Sequence, residues 1–313
     1  MPISVIVITK VSTRLKLPGL VAVLSFLIIP TNLSGDSPEL TLRKDVSEVH
    51  LVFFAADKQN DHVPLLQPND FAVVDNGVVV RDFRSFTRPE PADIKVVVLV
   101  DASESIGSRF REEISSALRL IYEAQWLPQD KLAIIAFAGT QPRLVCDGNC
   151  VRSMSRADFL GTRPDGATPL FDAIISAIKL VGRSRLTSTR PALILFSDGE
   201  DTISRNSAAD AVEAAIEHSA QVYAVDLGNP RQPSRGSLQS MAEATGGRYF
   251  RIQEGAEKIL TAVFEDSQGA YGVSYSVPTR ALGFHSVRVL PTHNQALQFR
   301  CRVGYFYEND NYQ

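Results

Sequence analysis

Three uninterrupted apolar runs constrain this chain more than any other feature. KVVVLVD (95–101), KLAIIAFA (131–138) and PALILFSD (191–198) are each of strand length and apolar at consecutive positions. A half-exposed strand alternates apolar with polar residues, so unbroken runs suit strands covered on both faces, as in a parallel sheet. Between them lie stripes at helical spacing. Phe110, Ile114, Ala117, Leu118 and Ile121 form one stripe. Leu170, Ala173, Ile174, Ala177, Ile178 and Val181 form a second, and Ala208, Ala211, Val212, Ala215 and Ile216 a third. QVYAVDLG adds a strand, and 237–244 and 257–264 read as two more helices separated by GGRYFRI. Strands alternating with helices predict an α/β unit with an open, doubly wound, mostly parallel sheet covered by helices.

The segments on either side are different. Over 40–86 the pattern is β-like, with Val49, Leu51 and Phe53 alternating, and Asn76-Gly77 sits between two Val-rich runs. Asn-Gly in that setting predicts a hairpin, because both turn positions tolerate φ > 0. RPEPA (88–92) reads as a linker. After the α/β unit, YGVSYSV places Tyr271, Val273, Tyr275 and Val277 on one face. LQFRCRVGY places Leu297, Phe299, Cys301, Val303 and Tyr305 on one face and Gln298, Arg300 and Arg302 on the other, as one half-buried strand. Sets of two or three strands are marginal alone in water. Residues 36–92 and 269–313 are therefore expected to pair into one β-sandwich-like domain, with the α/β domain of 93–268 inserted between them.

Composition narrows the function. The chain has 313 residues, is 44% hydrophobic and carries 32 basic against 35 acidic residues. That is enough apolar material for a substantial core, and the charge balance lacks the basic footprint of a nucleic-acid binder. Residues 1–35 read as a signal peptide or N-terminal anchor: Lys10, Arg14 and Lys16 precede the apolar run 17–29, and small polar residues follow up to Gly35. The run is shorter than the roughly 18 residues expected of a spanning helix. Export to the periplasm, cell envelope or exterior is expected, with a mature N-terminus near Asp36. The remaining chain carries 29 basic and 35 acidic residues, so it is mildly acidic. Any membrane contact is expected only through an uncleaved N-terminus.

Three cysteines are too few for a disulfide framework. Cys146 and Cys150 flank a turn at Gly148 and either close a small loop or stay reduced. Cys301 is expected as a buried free thiol, and Trp126 as core or rim. The five His residues form no constellation.

The residues with chemistry lie at the ends of two buried strands. The first run ends in Asp101-Ala102-Ser103-Glu104-Ser105, and the third in Ser197-Asp198-Gly199; Gly166-Ala167-Thr168-Pro169 precedes the second helical stripe. Singly, each is an ordinary turn or cap, and Thr168-Pro169 fits a helix N-cap followed by proline. Together they offer two carboxylates and three hydroxyls. These are hard oxygen donors suited to Mg²⁺ or Ca²⁺ rather than zinc or copper, beyond the carboxyl ends of strands where open α/β sheets form their sites. Glu104, Glu200 and Asp201 read as solvated surface acids.

DASES, GAT and FSDGED resemble the three segments of the metal-ion-dependent adhesion site in the von Willebrand factor type A (vWA) domain, over about 94–267. The resemblance implies that the strands bearing Asp101 and Asp198 lie side by side. It implies that Ser103 and Ser105 bind the metal through hydroxyls, that Thr168 binds directly or through water, and that Asp101 and Asp198 hold metal-bound waters. Mg²⁺ is the expected ion, with Ca²⁺ or Mn²⁺ as alternatives, and the expected partner is a protein with an exposed Asp or Glu. The flanking β segments and terminal RCRVGYF also resemble an exported bacterial vWA group first described in acidobacteria. No enzymatic activity and no small-molecule substrate are expected. A phosphatase of the haloacid dehalogenase type would need a second Asp where Ser103 stands, and neither GxSxG, GxGxxG nor a P-loop lysine occurs. The remaining alternative is a structural envelope protein with an unused site.

Overall fold

The computed structural model describes residues 48–58, 63, 65–104, 106, 111–150, 166–182, 189–228 and 236–308. The expected export segment and Ser105 lie outside them. Strands β1 (Glu48–Ala56), β2 (Phe71–Asp75), β3 (Val78–Val80) and β4 (Ser85–Thr87) come first. The α/β unit follows as β5 (Ile94–Asp101), α1 (Arg111–Glu123), β6 (Leu132–Ala138), β7 (Gln141–Asp147), α2 (Leu170–Gly182) and β8 (Arg190–Ser197). It continues through α3 (Ala208–Glu217), β9 (Gln221–Asp226), α4 (Ser237–Ala244), β10 (Tyr249–Arg251) and α5 (Ala256–Gly269). The chain then returns to strands, β11 (Tyr271–Ser276), β12 (Gly283–Pro291), β13 (Gln298–Cys301) and β14 (Gly304–Tyr307).

The central sheet has the order β10-β9-β8-β5-β6-β7. All its pairings are parallel except that of β6 with the edge strand β7. The unbroken apolar run of β5 has two cores to fill. Val96, Val98 and Val100 pack with Ile114 and Leu118 of α1 and Ile259 and Val263 of α5. Val97 and Leu99 pack on the other face with Leu170 and Ile174 of α2, Ala211 of α3 and Met241 of α4. Each helix stripe supplies its apolar face to one of these layers, which is what closes a parallel sheet against water. Strand β7 is mostly exposed. It is held at its end by the Cys146–Cys150 disulfide and by the Lys95–Asp147 ion pair at 2.9 Å.

The flanking strands form two four-stranded sheets, β13-β1-β11-β4 and β14-β12-β2-β3, each mixing strands from before and after the α/β unit. Leu51, Phe53, Tyr271 and Val273 of the first sheet meet Phe71, Val73 and Val287 of the second in one core. The Phe53 and Phe71 rings are 4.8 Å apart. The turn from β2 to β3 is the two-residue Asn76-Gly77, at φ 49° and 85°. Ala92 N donates to Ser267 O at 2.9 Å, so the chain enters and leaves the α/β unit at one place, the condition under which domain insertion is easy.

The C-terminal tail departs from the single strand expected over 297–305. β13 belongs to one sheet and β14 to the other. At the crossover Arg302 bridges Thr245 and Val303 N donates to Ala244 O. Simple alternation put Val303 inside and Arg302 outside, but Val303 is 41% exposed and Arg302 only 8%. The reason is tertiary: here the chain runs along the end of α4 and changes sheet.

That approach needs a residue without a side chain. Gly246 has φ +73°, and a Cβ there would stand 2.8 Å from Arg302 N and from the Cys301 carbonyl carbon. Gly246→Ala should therefore destabilise the full chain by about 1–3 kcal/mol, read as a lower Tm. An unchanged Tm would show that the two units do not meet closely at this point.

Candidate metal centre

Strand β5 pairs with β8 on one side and β6 on the other, with Val100 in register with Phe196 and Asp101 with Phe137. The chain runs from β5 outward to β6 and β7, then returns to β8 on the opposite side of β5. The sheet order therefore reverses between the carboxyl ends of β5 and β8, where flanking loops diverge and leave a crevice. Asp101 closes β5, and Asp198 follows Ser197 at the end of β8. The loop 166–168 joins them from the β6 side, since Gly139 N donates to Ala167 O at 2.8 Å.

Asp101 is 1% exposed. Its Oδ1 accepts from Ser103 N at 3.0 Å and its Oδ2 from Ser197 Oγ at 2.7 Å. The first bond curls the chain after β5 so that Ser103, also buried, stays at the strand end. Burial pushes the Asp101 carboxyl up to about 6, against the pull of its bonds to Ser103 and Ser197, and the Asp198 charge adds to the rise. Asp198 is half-buried and its Oδ1 accepts from Glu200 N at 3.1 Å.

Thr168 is buried too, but it does not cap α2 as its sequence setting suggested. Its N–H donates to Thr202 Oγ1 at 2.8 Å, and its carbonyl accepts from Thr202 N at 3.0 Å. The cap is supplied from the loop after β8. Leu170 N donates to Asp201 Oδ1 at 2.9 Å, and the next two amides donate to Ser204 Oγ. Asp172 in turn accepts from the backbone amides of Arg205 and Asn206. These bonds satisfy amides that a helix start leaves without partners and place negative charge at the positive end of the helix. Asp201 is thus a capping residue and not the solvated surface acid expected. Glu104 and Glu200 are exposed. Glu104 lies beside the Thr168 loop, with Oε2 3.4 Å from where a Cβ on Gly166 would be.

The structure brings Asp101, Ser103, Thr168 and Asp198 to one end of the sheet. Ser197, Thr202 and Ser204 support them and were not singled out from the sequence; a hydroxyl directly before Asp198 was the only available sign. Asp226 of β9, in register with Ser197, is held by Gly228 N at 2.6 Å and Tyr249 OH at 2.5 Å; burial pushes the Tyr249 phenol up to about 12, and the bond to Asp226 adds to the rise. Among the described residues, no group of three or more His, Cys, Asp or Glu could hold a metal. A donor set of two carboxylates and several hydroxyls is a different chemistry, that of a hard cation.

The von Willebrand factor type A domain family matches residues 94–250, half of the chain. The chain belongs to this family. A curated relative, the magnesium-chelatase 60 kDa subunit of Cereibacter sphaeroides, is 22% identical over 222 residues, covering 68% of this chain and 37% of its own length. A 67 kDa magnesium-chelatase subunit of Chlorobaculum parvum is 24% identical over 188 residues, covering 53% of this chain and 30% of its own. The chain thus spans about a third of these relatives. Among solved structures, an aerotolerance-related membrane protein of Bacteroides fragilis is similar with a TM-score of 0.46 and 16% identity, over 55% of this chain and 98% of that one.

The electrostatics of the vWA site have a measurable consequence without metal. The folded state holds the Asp101 proton more tightly than the unfolded chain, where the carboxyl titrates near 3.8. Its contribution to stability is therefore complete below pH 3.8 and is lost as pH rises through about 6, a change on the order of 3 kcal/mol. In chelator, Asp101→Asn should be more stable than the wild type at pH 7.5, and the difference should fade by about pH 4. A difference independent of pH would contradict the burial of an uncompensated charge.

Proposed function

We propose that this chain is an exported, non-enzymatic module that binds a partner protein through a divalent cation. The observation that carries the reading is Asp101: a buried carboxylate whose pKa burial raises and the charge of a second carboxylate, Asp198, raises further. A folded protein rarely leaves such a charge uncompensated, and a cation at the crevice supplies what the chain does not. Ser103, Thr168 and Ser105 would hold the ion through their hydroxyls, and Asp101 and Asp198 through water. Mg²⁺ fits best, with Ca²⁺ or Mn²⁺ as alternatives. Bound there, the ion would offer a Lewis-acidic position to an Asp or Glu of the partner.

The chain's own residues tune that position. Neutral hydroxyls leave more charge on a cation than a ring of carboxylates would. Asp101 is kept back by Ser103 N and Ser197 Oγ. The Asp201 and Ser204 latch to α2 fixes the loop that carries Asp198 against the loop that carries Thr168. Position 103 is a serine, so a second carboxylate two residues after Asp101, which acid–base phosphoryl transfer would use, is missing. vWA domains commonly bind protein, and the curated relatives are subunits of magnesium chelatase, which fits an interaction module. Export rests on the basic and apolar pattern of residues 10–29. Among the described residues no helix is long and apolar enough to cross a membrane.

The test is capture of partner from cell-envelope extract by the full chain, with Mg²⁺ or with chelator. Chelator should abolish capture and added Mg²⁺ restore it. Ser103→Ala should weaken the Mg²⁺ dependence about tenfold, and Asp198→Ala should remove it without loss of fold. Capture unchanged in chelator would refute the reading, as would failure to bind a divalent ion in the range of roughly 10⁻⁴–10⁻³ M known for weak extracellular sites.

A further inference from the structure

At the amino end of β8, far along the strand from Asp198, four arginines gather where the α/β unit meets the flanking sheets. Asp266 of α5 accounts for two of them, accepting from Arg248 Nη2 and Arg300 Nη2 at 2.7 Å each, and it also accepts from Tyr223 OH at 2.8 Å. Among the described residues, the other two have no carboxylate within bonding distance. Among the described residues Arg190 reaches main-chain oxygens, of Asp266 at 3.5 Å and Ser267 at 3.2 Å. The Arg302 guanidinium donates to His50 O at 3.0 Å. Both are more than nine-tenths buried, at 7% and 8% exposed. Arg190 Nη1 and Arg302 Nε are buried without a hydrogen-bond partner among the described residues.

Arg190 and Arg302 line one cavity of about 30 Å³, together with His50, Gln221 and Thr245, and among the described residues no acidic side chain is on its wall. That space holds about two waters or one small ion. Guanidinium groups stay protonated in proteins, although burial lowers the pKa of both. Asp266 is near enough to Arg190 to offset part of that fall, but it does not line this cavity, and two buried positive charges on one cavity are costly unless something negative lies between them. A separate void of about 10 Å³ also borders Arg190, but it has Asp266 on its wall and is too small for an ion.

We propose that the cavity between Arg190 and Arg302 binds one small monovalent anion of chloride size. The anion would link the first residue of β8 to the crossover between β13 and β14, and so fasten the vWA unit to the flanking sheets. This site is independent of the proposed metal centre at the opposite end of the sheet.

The experiment uses the full chain at constant ionic strength, with chloride exchanged for gluconate, which is too large to enter. The Tm should rise saturably by a few degrees as chloride replaces gluconate. Arg302→Met and Arg190→Met should each lose that dependence. Crystals grown in bromide should show one anomalous peak between the two guanidinium groups, a readout on the wild type that decides even if a variant fails to fold. Absence of that peak would overturn the proposal and leave the cavity to water. So would a chloride dependence that persists in Arg302→Met.

Discussion

Val100 of β5 lies in register with Phe196 of β8, and from that pairing two strands deliver their acidic ends to one point. Everything else at the site depends on this adjacency. Parallel pairing aligns the carboxyl ends on one edge of the sheet, and the reversal of strand order between β5 and β8 keeps the following chain segments from covering it. Asp101 is then buried by the same packing that buries Val97 and Leu99. Its elevated pKa follows from the depth of that burial, so the fold itself makes the ionised carboxylate costly, and a cation would offset that cost.

Rigidity comes from exchange between loops. The segment after β8 caps α2, and Asp172 of α2 accepts from the amides of Arg205 and Asn206 in that segment. The two loops are therefore bound in both directions. Thr168 and Thr202 exchange bonds in the middle of this contact. Amides at a helix start need acceptors in any fold; here they find them in the loop that carries Asp198, which couples the position of the site to the stability of α2. The flanking sheets add a second unit whose core is separate from the two layers of the α/β sheet. Contact between the units is polar and close, through Gly246, Asp266 and the arginines.

Features set by local pattern could be read from the sequence. The run of β5 has apolar residues on both faces because both faces are covered. All six positions of the Leu170 stripe are buried. Asn76-Gly77 specifies a turn that few other pairs allow. Features set by distant contacts could not. β7 carries Pro142, Arg143 and Asp147 on an exposed edge, so its residues show no apolar pattern. Arg302 looks like the polar side of a strand and is buried because the chain changes sheets beside it. Asp201 caps a helix 31 residues earlier, a contact with no signature in its neighbours. The grouping of Asp101, Thr168 and Asp198 was suggested by their oxygen donors and strand-end positions and made specific by the motif resemblance, since singly each is a plausible turn or cap.

The central claim is that the ends of β5 and β8 form a site for one divalent cation. Crystals of the full chain grown in Mn²⁺, measured at the manganese absorption edge, test it most directly. The account predicts one anomalous peak within reach of the Ser103 and Thr168 hydroxyls, lost when Asp198 is replaced by Ala. No peak there, or one that survives the substitution, would contradict it.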